Sequence, residues 1–296
     1  MTDQAEILSE QMLGFTVPQR SARGRVVRLD ALCDNVLAAH DYPAPIKHLL
    51  AEALVLAALM GSLLKGEAAQ LTMQAQTQEG PVRMLVCDYR DGEIRGYADF
   101  DEADLAGLGA NSELSKLFGT GFLAITFETA KGQRYQGVVP LEGASLAEAC
   151  QAYFVQSEQV PTHLSVAIKI SDAGCVAGGM LIQHFPDGEE GRERLHVRLD
   201  HPDWEHIHAL AASMSYQELI DPALSMEALV WRLFHDEDEV RIQKGAHLTK
   251  GCRCTAEHYE ELVGRFSPDE QQEMRNENGV IVVDCAFCSK EFALEA

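Results

Sequence analysis

The chain is short of positive charge: 24 Lys and Arg stand against 46 Asp and Glu among 296 residues, for a formal net charge of −22. Such a field repels a phosphate backbone unless a local basic patch intervenes. The C-terminal segment offers none. From Cys252 onward, Arg253, Arg265, Arg275 and Lys290 face ten carboxylates, so no nucleic-acid partner is expected. Long apolar runs are missing too. The most apolar stretch, 53–64, is twelve residues long, short of the roughly 20 a bilayer requires, and no membrane partner is expected. Met1-Thr2-Asp3-Gln4-Ala5-Glu6 lacks the basic and apolar regions of a signal peptide. The expected location is cytoplasmic, where resting cysteines are reduced. There is no Walker loop, dinucleotide fingerprint or G-x-S-x-G elbow. Gly178-Gly179 has none of the rest of a phosphate loop and reads as a bulge or a close approach.

What the chain does have is two cysteine pairs near its C-terminus, Cys252-Arg253-Cys254 and Cys285-Ala286-Phe287-Cys288, separated by 30 residues. Two short chelating turns supplying two thiolates each suit tetrahedral Zn²⁺, which needs four ligands. The single residue inside the first pair makes that chelate the tighter and rarer one. Paired spacing argues against four unrelated thiols, but a purely structural zinc site stays open on spacing alone. The remaining cysteines, Cys33, Cys87, Cys150 and Cys175, are scattered and read as small core residues. His247 and His258 lie near the first pair; four sulfurs already complete a tetrahedron, so both are expected at the surface or behind the ligands. His201, His206 and His208 surround Trp204 at spacings that share no tight metal face and read as a solvated helix.

Periodicity outlines the rest. Residues 15–17 and 23–29 read as strands, and Asp30 as the start of a helix to about His40. A long apolar helix over 46–64 has so few polar positions that it must be buried on most sides. Strands follow at 70–76, 82–86, 94–98, 122–127 and 134–139, with tight turns at Gly80-Pro81 and Asp91-Gly92. Ser145 caps a helix to about Glu158, and strands at 164–170 and 176–182 complete an α+β unit. The charged stretch 186–194 reads as flexible. Helical but modestly apolar sequence then runs to Glu239, including a short helix over 226–234 whose acidic end, 236–239, reads as solvated. Residues 256–263 read as a helix, Ser267-Pro268-Asp269-Glu270 as a helix start, and 280–283 as a strand leading into Cys285. The expected fold class is α+β: an N-terminal antiparallel-sheet domain with packed helices (1–185), a helical linker (186–245) and a small C-terminal zinc-binding module (246–296). A module this small needs a staple, and zinc can supply about 10 kcal/mol of folding free energy.

The C-x-C…C-x-x-C arrangement resembles that of the heat shock protein 33 family. Further stretches in family order extend the resemblance over nearly the whole chain: His40-Asp41-Tyr42-Pro43, Arg134-Tyr135-Gln136-Gly137-Val138-Val139, Ser157-Glu158-Gln159-Val160-Pro161-Thr162, Ala177-Gly178-Gly179-Met180-Leu181 and Trp231-Arg232-Leu233-Phe234-His235. One departure is Ser289, where the family has Gly after the last cysteine. The resemblance implies a redox-regulated, ATP-independent holdase chaperone of the stress response, and not an enzyme. Reduced protein would hold one Zn²⁺ through Cys252, Cys254, Cys285 and Cys288 and be inactive. Oxidation would form the disulfides Cys252–Cys254 and Cys285–Cys288, release zinc and unfold a metastable linker. The exposed surfaces would then bind unfolded or oxidatively damaged clients, and the active form would be a homodimer. Cys33, Cys87, Cys150 and Cys175 are expected to stay reduced. The helix at 225–234 is expected to dock on the first domain's sheet through Leu229, Trp231 and Phe234. Two other functions compete: a thiol-disulfide oxidoreductase using Cys285 and Cys288, and a constitutive zinc-ribbon adaptor.

Overall fold

Helix α2 (Ala44–Gly61) sets the architecture, because every residue from Leu49 to Gly61 is buried. Burial all round follows from a sequence with one carboxylate, Glu52, in that span. The helix begins two residues earlier than its apolar run, since Pro45 fits the first turn, where no intrahelical partner awaits its missing N–H. By length and composition it could cross a bilayer; here it is a core helix. The computed structural model describes residues 10–185 and 200–294. The charged stretch expected to be flexible at 186–194 lies outside the described residues.

Two sheets enclose α2. One has the strand order β10-β1-β2-β9-β8, from β1 (Gln11–Val17), β2 (Ala22–Leu29), β8 (Thr162–Ser171), β9 (Gly174–His184) and β10 (Arg241–His247). The other has the order β11-β5-β4-β3-β6-β7, from β3 (Gln70–Gln76), β4 (Val82–Arg90), β5 (Glu93–Phe100), β6 (Phe122–Glu128), β7 (Arg134–Pro140) and β11 (Thr249–Lys250). All pairings in these two sheets are antiparallel except that of β11 with β5. The strand expectations are met, with β4 and β9 longer than the apolar patterns suggested. Asp91 and Gly92 both have positive φ, 53° and 86°, as the two-residue hairpin between β4 and β5 requires. Helix α1 (Ala31–Leu37) ends before the expected His40. After α3 (Leu114–Phe118), helix α4 (Leu146–Tyr153) starts at the expected cap, with Ser145 Oγ accepting from Glu148 N at 3.3 Å.

The two sheets differ in cover. In β3 Leu71, Met73 and Ala75 are buried while their alternates are only half-buried, the mark of a sheet covered on one face. In β9 every residue from Ala177 to His184 is buried, so the five-stranded sheet is covered twice. Its second cover is α5 (Pro202–Ala212), α6 (Tyr216–Ile220) and α7 (Met226–Phe234). Trp204, Ile207, Leu219, Leu229 and Phe234 pack there against Leu13, Phe15, Val17, Met180 and Ile182. Gly178-Gly179 is a close approach and not a bulge. A Cβ at Gly178 would lie 2.4 Å from Leu219 O, and one at Gly179 would lie 2.4 Å from a Val55 methyl on α2. One glycine admits each cover.

Three expectations for the linker are corrected here. Trp231 is 64% exposed and stacks on His235, with ring centroids 4.8 Å apart, so it does not dock. The docked tryptophan is Trp204, 7% exposed, in the helix expected to be solvated. Within the acidic run, Glu237 is not solvated: it accepts from Arg20 Nε at 2.9 Å and His206 Nε2 at 2.5 Å. The strand β10 was not anticipated. Its side chains are all exposed, so it has no alternating pattern, and main-chain pairing with β1 holds it at the sheet edge. This strand runs across position 245/246. The module beyond contains α8 (Ala256–Val263), α9 (Pro268–Glu273), and the hairpin of β12 (Ile281–Asp284) with β13 (Glu291–Leu294). The expected start at Ser267 is a full capping box with Glu270.

Candidate metal centre

The first cysteine pair leaves β11, whose parallel pairing with β5 aims the chain at the module. Gly251 N donates to Ile94 O at 3.0 Å. A Cβ at Gly251 would come within 2.4 Å of Glu93 Cβ, so only glycine allows the approach. Thr255 then accepts from His258 N and opens α8 directly after Cys254. The second pair leaves β12 in a tight turn. Cys288 N and Ser289 N donate to Cys285 O at 3.2 and 2.8 Å, and Cys285 N donates to Lys290 O at 3.0 Å. Ser289 closes that turn with φ +56°, a left-handed conformation that glycine adopts more readily.

These turns bring four thiols together. Cys252 Sγ is 3.3 Å from Cys254 Sγ and 3.5 Å from Cys285 Sγ, and Cys254 Sγ is 3.5 Å from Cys288 Sγ. All four sulfurs lie within 4.8 Å of one another. A disulfide would need about 2.05 Å, so these are free thiols. A tetrahedron with 2.3 Å metal–sulfur bonds has edges of about 3.8 Å, and the donor set fits zinc in number, type and spacing. The sulfurs also belong to the module's small core of Val263, Ile281, Phe292 and Leu294. That core is thin, so the ligands double as its centre.

The four thiols are not equivalent. Burial opposes ionisation of Cys285, but the Tyr259 hydroxyl, the backbone N–H groups of Phe287 and Cys288 and the Cys252 thiol outweigh it, holding Cys285 down at about 6. Burial and the neighbouring sulfurs push Cys254 up. The lowering favours the thiolate form at Cys285, and thiolates rather than thiols bind metal and react with oxidants. Neither nearby histidine joins the sulfurs. His247 Nδ1 lies 3.0 Å from Glu10 O, to which it donates, and His258 is exposed. Cys33, Cys87, Cys150 and Cys175 are all buried in the first domain, as small core residues would be.

Sequence reasoning missed the residues that pin α5–α7 over the sheet. Arg28 is 7% exposed and donates to Leu219 O at 2.9 Å, Leu224 O at 3.0 Å and Glu218 O at 3.3 Å. Arg20 pairs with both Asp203 at 2.8 Å and Glu237 at 2.9 Å. A signal did exist for Arg28. It shares the period-two face of β2 with Ala22 and Val26, and a cation on an apolar face needs acceptors from whatever covers it. A cavity of about 650 Å³ opens where α5 and α6 approach α2, α4 and β8, lined by Glu52, Gln151, His163, His208 and Tyr216. Burial raises Glu52 to about 7 although it accepts from the α4 backbone N–H groups of Ala147 and Leu146.

A model of the Hsp33 protein family matches residues 10–295. Among curated proteins, the 33 kDa chaperonin of Caulobacter vibrioides is 39% identical over 307 aligned residues, covering 100% of this chain and 99% of that protein. That of Photorhabdus laumondii is 32% identical, covering 97% and 93%. Among solved structures, the 33 kDa chaperonin (heat shock protein 33 homolog) of Thermotoga maritima superposes with a TM-score of 0.79 over 96% of this chain and 94% of that one. At 20% identity, the last likeness concerns the fold.

Proposed function

Because the chain belongs to the Hsp33 family, we propose that it is a redox-controlled chaperone that holds unfolding proteins without ATP and catalyses no reaction of its own. The observation that carries this reading is the position of the four sulfurs. They centre a small module whose core is thin, at the end of a linker whose helices cover an apolar sheet face. In this reading 1–185 is the chaperone core, 186–245 a metastable linker and 246–296 the redox switch, in a cytoplasmic protein.

In the reduced state Cys252, Cys254, Cys285 and Cys288 would hold one Zn²⁺. Bound there, the metal keeps all four sulfurs deprotonated and staples the module. On oxidation by a peroxide, Cys252 pairs with Cys254 and Cys285 with Cys288. Each pair of thiolates gives two electrons to one peroxide. The S–S bond forms, the O–O bond breaks, two protons are taken up and two waters leave. With the ligands gone the module unfolds, and the linker loses the neighbour that holds its end. Leu13, Phe15, Val17, Met180 and Ile182 on the sheet, and the apolar faces of α5–α7, become available to unfolded clients. The oxidised form associates as a homodimer.

A client-aggregation assay on reduced and peroxide-treated protein, with released zinc measured in parallel, tests this reading. Suppression of aggregation only after oxidation, with about one zinc released per chain, is expected. Equal suppression by the reduced, zinc-loaded form would refute it. The lowered Cys285 also suits an attacking thiol, and turnover of a dithiol substrate would favour an oxidoreductase instead. Zinc retained through peroxide treatment would favour a constitutive zinc-ribbon adaptor.

A further inference from the structure

The turn that carries Cys285 and Cys288 grips the first domain with three of its residues. His40 Nε2 donates to Ala286 O at 2.7 Å. Ser289 Oγ donates to Ala39 O at 2.5 Å and lies 3.1 Å from His40 Nδ1. Between them the Phe287 ring meets Tyr97 edge-on, with centroids 4.9 Å apart at 83°, and the Arg95 guanidinium lies 4.0 Å from its centroid. Arg95 is itself fixed by Asp88 at 2.6 and 2.8 Å. The first cysteine pair is tied just before Cys252, by the pairing of β11 with β5 and by Gly251 N donating to Ile94 O at 3.0 Å, and through the long side chains of Lys250 to Asn35 O at 2.6 Å and Arg253 to Gln70 at 2.9 Å. The second turn touches through its own backbone carbonyl, its shortest polar side chain and a ring set between the two cysteines.

We infer that Ala286, Phe287 and Ser289 form a latch on the first domain that keeps the Cys285–Cys288 turn in its ligating shape, with Ser289 and His40 as positioning residues of the sulfur site. The inference rests on the zinc reading of the four sulfurs and adds a regulatory contact to it. A turn bonded at once to a metal and to another body couples the two. Whatever the dock adds to metal binding, the metal adds to the dock, by linkage. Ser289 carries the most specific mark. Its backbone is left-handed at φ +56°, where glycine would be more comfortable. Glycine has no hydroxyl to give to Ala39 O. The chain keeps the less comfortable residue, and that residue makes the contact.

The test compares reduced full-length wild type with Ser289→Gly and His40→Ala. Two readouts are followed: zinc transfer to an excess of the chelating dye 4-(2-pyridylazo)resorcinol, and hydrogen exchange of the amides at 285–290. Both variants should lose zinc roughly 2–10-fold faster and exchange faster in that turn, the scale of one or two lost hydrogen bonds. Ser289→Gly decides between two opposite signs. If Ser289 is a tolerated departure, glycine relieves its backbone and zinc leaves no faster or more slowly, which overturns the latch. Unchanged exchange at 285–290 in His40→Ala, a substitution outside the module, overturns it as well. A wild-type chain purified without zinc would count against the four-sulfur reading, while the exchange comparison would still judge the latch.

Discussion

The five-stranded sheet carries two covers that bury similar side chains and are held in different ways. On one face lies α2, eighteen residues long, with Val55 and Leu59 against Gly179 and the six-stranded sheet behind it. On the other lie α5, α6 and α7, of 11, 5 and 9 residues, with Phe234 against Phe15 at 5.4 Å between ring centroids. Isolated helices shorter than about 12–15 residues are marginal in water, so each of these three depends on the sheet. Among the described residues their outward side chains, Tyr216 and Trp231 for example, are exposed. Besides their apolar contacts the three helices are fixed by cations of the sheet side, Arg28 on the α6 carbonyls and Arg20 on Asp203 and Glu237. Depth of burial therefore does not distinguish the two covers. What stands behind the buried face does.

Loss of the staple should produce the largest effect. Replacing Cys252, Cys254, Cys285 and Cys288 by Ser would remove the ligands of the proposed metal, a staple worth on the order of 10 kcal/mol to such a module. Exchange protection over 252–294 should collapse and protection in α5–α7 should fall after it, while α2 and β3–β5 keep theirs. If the linker helices stay as protected as α2, the two covers are equivalent and the distinction is lost.

The covers can next be struck separately. Leu54→Ala in α2 should cost about 2–5 kcal/mol and Phe234→Ala in α7 about 3–5 kcal/mol, each from a side chain with no exposed surface. The first should shift the main denaturant transition. The second should raise exchange across 202–234 and leave that transition nearly in place. An equal shift of the main transition by both would show a single cooperative unit.

A pH profile sharpens the picture on the α2 side. Burial raises Glu52 to about 7 from an ordinary value of 4.5. Between those values the folded chain keeps a proton that the unfolded chain has lost. Its contribution is whole below about pH 4.5, falls as pH climbs towards 7 and is gone above. Glu52→Gln should flatten that decline, by about 3 kcal/mol at most, in the main transition measured by denaturant melts from pH 4 to 8. A slope unchanged in the variant would assign the decline to another group.

The smallest effect is expected at Trp231. Exposed as it is, Trp231→Ala should change linker protection by no more than about 0.5 kcal/mol. Client binding by the reduced variant would mean that Trp231 supports the cover after all.

Much of this was legible in the residue order, and the misses share a cause. The amphipathic run at 226–234 identifies α7 and two of its docked residues, Leu229 and Phe234, and misplaces Trp231 alone. Leu229 and Phe234 point inward with Met226 and Val230, and Trp231 points out. The helix around Trp204 reads as solvated because the spacing of its three histidines offers no shared metal face. In the fold, His208 packs on His163 and His201 on His184, with ring centroids 4.9 and 4.8 Å apart, so the histidines border the interface that buries the indole. The β10 strand carries no alternation at all, since its pairing uses only main chain.

The sequence by itself determined the four-sulfur site, because two short cysteine spacings and the turn after β12 are local and chelation tolerates little variation in either. It also determined the buried helix, whose apolar residues admit no solvated face, and the hairpin at Asp91-Gly92, whose φ values suit few other residues. Only the tertiary structure decided that two sheets enclose α2 and that one of them is covered twice. It alone decided that Arg28 and Arg20 hold the second cover and that Ser289 reaches Ala39, 250 positions away. Spacing and periodicity are set by neighbours along the chain. Which face is covered, and by what, depends on residues the chain brings together only when it folds.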